Sequence, residues 1–147
     1  LSQWETQGVI IEEENAFRTV DTDSQKLIQL HAGSIRWNPY RQRWIMIAHQ
    51  VFGVSSNLGE VWFAESIRPE GPFAKAVRIV THDQYSFYNV CQHDFFDQDS
   101  GRLIYFEGTY TTMFSGSKSP TPLYDYNQIM YRLDLSDVRL KSAYTEY

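Results

Sequence analysis

Residues 93–110, HDFFDQDSGRLIYFEGTY, constrain this chain most, because they read as a strand, a tight turn and a second strand. Asp97, Gln98, Asp99, Ser100 and Gly101 supply the turn. Aspartate side chains bond their own backbone there, and glycine accepts a positive φ. Beyond the turn, a period of two sets Leu103, Tyr105 and Glu107 on one face and Ile104, Phe106 and Gly108 on the other. Glu107 therefore lies near the end of a hairpin strand, beside a glycine that permits close approach of backbone or ligand. A carboxylate so placed suits sugar or metal chemistry, and equally suits an ion pair with a neighbouring arginine.

The rest of the chain repeats this β character. Residues 1–11 read as a strand end or linker, with a short strand from Gly8 to Ile11, and Glu12, Glu13 and Glu14 follow as a solvated charge run. Short strands are expected over 15–20, 26–31 and 34–38. Residues 42–49, QRWIMIAH, have a nearly continuous apolar centre, the pattern of a strand buried on both faces. A Gly/Ser/Asn-rich loop at 51–58, a strand at 59–66, the Pro/Gly turn RPEGPF and a strand at 76–81 complete one unit. A similar order returns with strands at 89–96, 102–109 and 127–134, separated by the turn at 97–101 and a long loop at 111–124. The helix-like patches at 134–140 and 141–147 are too short to impose an α/β architecture. The expectation is one all-β domain over 1–147, a partial β-propeller with a partial blade at 1–31 and blades at 33–81 and 82–140. A small sandwich whose hairpins mimic blades is the alternative.

With 147 residues, of which 42% are hydrophobic and 21% charged, the chain can bury a core and is not a disordered segment. Lys+Arg 13 against Asp+Glu 18 gives a net charge of -5, which offers a phosphate backbone little, so nucleic acid is not an expected partner. No apolar run approaches the roughly 20 residues that span a bilayer, so no membrane partner is expected either. Cys91 is the single cysteine, which rules out an internal disulfide and a Cys-rich zinc site.

Three segments, RWNPYRQRWIMIA, GEVWFAESIRPEGPF and HDFFDQDSGRLIYFEG, resemble the sugar-active five-bladed propellers, the group of arabinanase- and xylosidase-like glycoside hydrolases. The features are Trp44 to Ala48, then Glu65, Ser66, Gly71 and Pro72, and the likeness spans about two blades, residues 33–135. It implies carboxylates contributed by different blades around an axis, a polysaccharide or oligosaccharide partner, and a companion chain or homo-oligomer to supply the remaining blades. It also favours a secreted or periplasmic setting, with calcium as a possible cofactor. A non-catalytic glycan-binding or structural propeller is the rival reading.

Glycoside hydrolysis needs two carboxyl groups, about 5–5.5 Å apart for retention and about 6.5–9.5 Å for inversion. Glu107 and Glu60, each beside a glycine and an aromatic-rich strand, are the acid/base candidates, with Asp94 as orienter. The dipeptide HD occurs twice, as His82–Asp83 and His93–Asp94. Imidazole with carboxylate suits a hydrophilic metal, a shared proton, or a plain hydrogen-bonded junction. Tyr88 and Asn89, and then Tyr110, Tyr126 and Asn127, offer ring faces for sugar C–H patches and amides for hydroxyls. Aromatics beside β-turns also fill seams. Cys91 and His93 share a face in an extended strand, but no local sequence supplies an orienter and an oxyanion pocket. Arg36, Arg43 and Arg102 are read as carboxylate partners.

Overall fold

The computed structural model describes residues 2–9 and 18–145. The Glu12–Glu14 run, the first half of the strand expected at 15–20 and the end of the strand expected at 8–11 lie outside the described residues. Residues Ser2–Thr6 form a short α-helix where a strand end or linker was expected. Among the described residues eight strands follow: β1 (Val20–Asp21), β2 (Leu30–Asn38), β3 (Arg43–Gln50), β4 (Val61–Ser66), β5 (Lys75–Val80), β6 (Ser86–Gln92), β7 (Leu103–Thr111) and β8 (Asn127–Asp134).

These strands make two sheets. One is ordered β1-β5-β4-β3-β2, antiparallel except for the short parallel pair β1–β5, and the other is ordered β6-β7-β8. The five-bladed propeller expectation is overturned here. Both sheets are open, one has five strands and the other three, and among the described residues there is neither a closed ring nor a repeated blade. The β character was read correctly; the higher-order arrangement was not. The helix-like patch near the C-terminus is realised as a 3-10 helix, Val138–Ala143, capped by Asp137, whose side chain accepts from the Arg139 N–H.

β3 is covered on both faces, as its apolar centre implied. Ile45 and Ile47 face a cluster shared with the second sheet, which includes Phe63, Phe87, Ile104 and Phe106. Met46 and Ala48 face the opposite cluster, with Trp62, Phe73 and Ala76. Each fully buried Ile or Phe stabilises by about 1.5–3 kcal/mol relative to exposure. The alternation expected after the 97–101 turn also holds: Ile104 and Phe106 are buried, while Tyr105 and Glu107 are only partly covered. The turn itself carries three successive residues at positive φ, Asp99, Ser100 and Gly101.

Polar contacts stitch the sheets together. The Gln92 N–H donates to Ser34 Oγ at 2.7 Å, and the Asn38 amide donates to the Gly101 carbonyl at 2.7 Å, both buried. Glu65, fully buried, accepts two bonds from Arg41, at 3.0 and 3.1 Å, and one from the Thr145 N–H at 2.7 Å. The Arg41 guanidinium in turn lies 3.4 Å above the Tyr144 ring. This carboxylate anchors the C-terminal segment to the first sheet. Truncating Arg41 to alanine strands Glu65 without its cation, and because the arginine is partly exposed the loss falls at the lower end of the range for such pairs, about 3 kcal/mol. Urea denaturation will show the midpoint of Arg41→Ala falling accordingly; an unchanged midpoint would refute the anchoring role.

Gly108 makes the close approach that its neighbour Glu107 prompted. A Cβ there would meet the Phe87 ring at 2.6 Å. Gly108→Ala is expected to destabilise by about 1–3 kcal/mol through overpacking, measured by the same denaturation.

Candidate functional site

Glu60, Glu107 and Asp94 do not assemble. Glu60 ends the loop before β4 in the first sheet, is buried, and accepts from Arg78 Nη1 at 2.7 Å and from the Thr81 hydroxyl at 3.2 Å. It borders a polar cavity of about 410 Å³ that also meets Trp62 and Arg78. Glu107, on β7 of the second sheet, pairs with His93 Nε2 at 2.9 Å. Asp94 opens a single-turn 3-10 helix, Asp94–Phe96, and lies 3.9 Å from Arg36 Nε. Each carboxylate has its own basic partner, and no pair spans a space where a glycosidic bond would sit. The expectation of a glycoside hydrolase working through paired carboxylates is therefore overturned, because these ion pairs are structural. No group of three or more His, Cys, Asp or Glu that could hold a metal occurs among the described residues.

The two HD dipeptides have different fates. His82 is buried in the seam, stacked on Phe87 with centroids 4.4 Å apart. Its Nδ1 lies 2.9 Å from the Gly59 carbonyl of the first sheet and its Nε2 3.0 Å from the Tyr131 hydroxyl of the second. Burial lowers its pKa, against the Gly59 hydrogen bond and the Glu60 charge. It is the hydrogen-bonded junction rather than a ligand. Asp83 is exposed in the following turn. His93 instead faces Glu107 and packs against Phe95 and Phe96, with centroids 5.2 and 6.1 Å away. Cys91 donates to the Gln92 carbonyl, so the Cys91/His93 pair has no catalytic geometry. Of the three arginines, Arg36 and Arg102 meet carboxylates, whereas Arg43 donates to the carbonyls of Gln42 and Thr145.

The aromatic candidates divide as well. Tyr110 is held in the seam between His82 and Tyr85, at 5.2 and 5.3 Å. Tyr88 and Tyr126 come together at the surface, 38 positions apart in sequence, with hydroxyls 2.7 Å from each other and rings edge to face. That hydrogen bond is the main cause holding the Tyr88 phenol up at about 12. Phe114, which sequence reasoning missed, packs edge-on to Tyr88 at 5.7 Å and is 58% exposed. Asn89 lies beside Tyr88, exposed and at φ 55, where the β6–β7 register slips. Asn127 tethers the loop by donating to the Tyr124 carbonyl.

Asp125 was also missed, and it sets the loop that carries Phe114 and Tyr126. Its carboxylate accepts from the Thr112 N–H at 2.9 Å, from the Thr112 hydroxyl at 2.5 Å and from the Thr121 hydroxyl at 3.3 Å. The Thr112 hydroxyl is the first cause of its lowered pKa. The contact joins residues 13 apart across an irregular loop, where no periodicity marks it. No protein-family model, curated protein or solved structure matches the chain.

Behind His93, the Gln92 amide donates to Asp97 Oδ2 at 3.4 Å, while Gln92 Oε1 and Asp97 Oδ1 are buried without a partner. Burial pushes the Asp97 carboxyl up to about 6; the Tyr105 backbone and Gln92 oppose this and the Asp94 charge adds to it. The folded chain thus binds more protons than the unfolded chain between the ordinary 3.8 and about 6. Stability from this group is fully present below that window and is lost as pH rises through it. Asp97→Asn should therefore gain stability relative to the parent as pH rises from about 4 to about 7. Parallel stability curves for the two proteins would count against a proton held by Asp97.

Proposed function

We propose that the surface formed by Tyr88, Phe114 and Tyr126 binds a neutral oligosaccharide without cleaving it. The observation that carries this reading is the 2.7 Å contact between the Tyr88 and Tyr126 hydroxyls, which fixes two partly exposed rings at a 75° angle. Phe114 adds a third ring at 83° to Tyr88. Rings already set by hydrogen bonding and by the Asp125-braced loop lose little freedom on binding, so contact with sugar C–H faces is not offset by ordering. The phenol oxygens and the Asn89 amide supply directional groups for hydroxyls. A net charge of -5 disfavours acidic polysaccharides at the same surface.

A panel of neutral hexasaccharides (β-1,4-glucan, β-1,4-xylan, β-1,3-glucan and α-1,5-arabinan), titrated while following protein fluorescence, tests the reading. At least one should bind saturably. Tyr126→Ala should then weaken it by about fivefold or more, the equivalent of about 1 kcal/mol for one lost aromatic contact. No saturable binding, or equal binding by Tyr126→Ala, would refute it.

A further inference from the structure

The two edges of the second sheet differ. β6 turns its outer edge to the first sheet, where the Phe87 N–H donates to the Leu58 carbonyl at 2.9 Å and the Gln92 N–H to Ser34 Oγ at 2.7 Å. β8 has no such cover, because among the described residues it pairs with β7 alone. The Leu135 N–H donates to the Arg102 carbonyl at 2.8 Å, in step with the Leu103–Asp134 register. Bonded and non-bonded positions alternate along an antiparallel ladder, so Asn127, Ile129, Tyr131 and Leu133 turn their backbone groups to β7. Those of Gln128, Met130 and Arg132 point the other way, off the edge of the sheet. Edge strands are commonly blunted by a bulge, a proline or lysines. β8, NQIMYRLD, has none of these, and its register with β7 is unbroken over eight residues.

An open row of alternating N–H and C=O groups is matched by another extended strand. The side chains of β8 complement a second copy of β8 itself. A two-fold axis through Met130 opposes outward-facing backbone groups, setting Met130 against the partner subunit's Met130 and Gln128 against the partner subunit's Arg132. Each exposed guanidinium then faces an amide, and the two arginines stay four positions, about 14 Å, apart along the strands. An axis through Tyr131 also opposes outward-facing groups, but it makes the two arginines diagonal neighbours, where like charges repel. On the inner face, the Met130 axis sets Ile129 against the partner subunit's Tyr131. Both residues are half-buried at the margin of the core cluster, so the pairing covers apolar surface that one copy leaves open. Met130, 44% exposed, is covered on the outer face. We propose that two copies of this chain pair antiparallel through β8 about a two-fold axis at Met130, joining two three-stranded sheets into one of six strands.

Analytical ultracentrifugation from about 1 μM to about 1 mM, the span that brackets a weak interface one strand wide, tests this. The mass should rise from 17.3 kDa toward twice that value. Met130→Lys sets two ammonium groups opposite each other across the axis and should weaken the dimer by about fivefold or more. Its urea midpoint at the lowest concentration should match the parent's, since Met130 lies on the open face. Gln128→Glu gives each Arg132 a carboxylate across the axis, two pairs per dimer, and should tighten association by about twofold or more. A mass fixed at 17.3 kDa throughout, a Met130→Lys dimer as tight as the parent's, or a Gln128→Glu dimer no tighter would each overturn the proposal.

Discussion

A strand without a polar face must be covered on both sides, and β3 imposes that requirement on everything around it. Its flanking strands β2 and β4 satisfy its backbone, and two separate apolar clusters cover its faces. One cover is built from Trp62, Phe73 and Ala76 within the first sheet's own surroundings. The other must come from a second sheet, which delivers Phe87, Ile104 and Phe106. The small sheet β6-β7-β8 therefore has a reason to exist that is independent of any ligand. It closes the second face of β3.

Covering β3 also buries polar groups, and the seam answers by pairing them. His82 spans from the Gly59 carbonyl to the Tyr131 hydroxyl, Ser34 receives the Gln92 N–H, and Glu65 is satisfied by Arg41 and Thr145. Such groups give little net stabilisation when paired but are costly to leave unpaired, so they specify one docking of the sheets. Two titratable groups pull in opposite directions over the same pH range. Asp97, raised to about 6, favours the folded chain at low pH. His49, lowered to about 4, contributes stability above its ordinary 6.5 that is lost as pH falls. The two contributions oppose each other between about 4 and 6.

The local structure was legible in sequence, and its limits are physical. Alternation across Leu103–Gly108 gave the buried and open faces of β7, the apolar run 42–49 gave the doubly covered strand, and the polar cluster 97–101 gave the turn. Hairpins of similar length then suggested repeated blades. Hairpin spacing carries no information on how sheets close, which depends on contacts between residues far apart, such as Asn38 with Gly101. Carboxylates misled for a related reason. Glycine and aromatic neighbours flag a Glu equally for chemistry and for burial, and only the position of Arg78 or His93 tells which holds. Tyr88 and Tyr126 were picked for their side chains and did converge, but Phe114 and Asp125 lie in an irregular loop that has no period to read.

The same division separates the groups that hold the fold from those free to do something else. Glu60 and Glu65 are buried and compensated in place by Arg78 and Arg41. A carboxylate so engaged holds neighbouring elements in place by accepting their hydrogen bonds. The exposed rings of Phe114 and Tyr126 and the half-buried ring of Tyr88 are different, because folding leaves part of their surface uncovered while setting their angles. A core residue is ordered in order to be covered. Rings that are ordered and left uncovered keep apolar surface available, and ordering them beforehand lowers the entropic cost of covering it with a ligand.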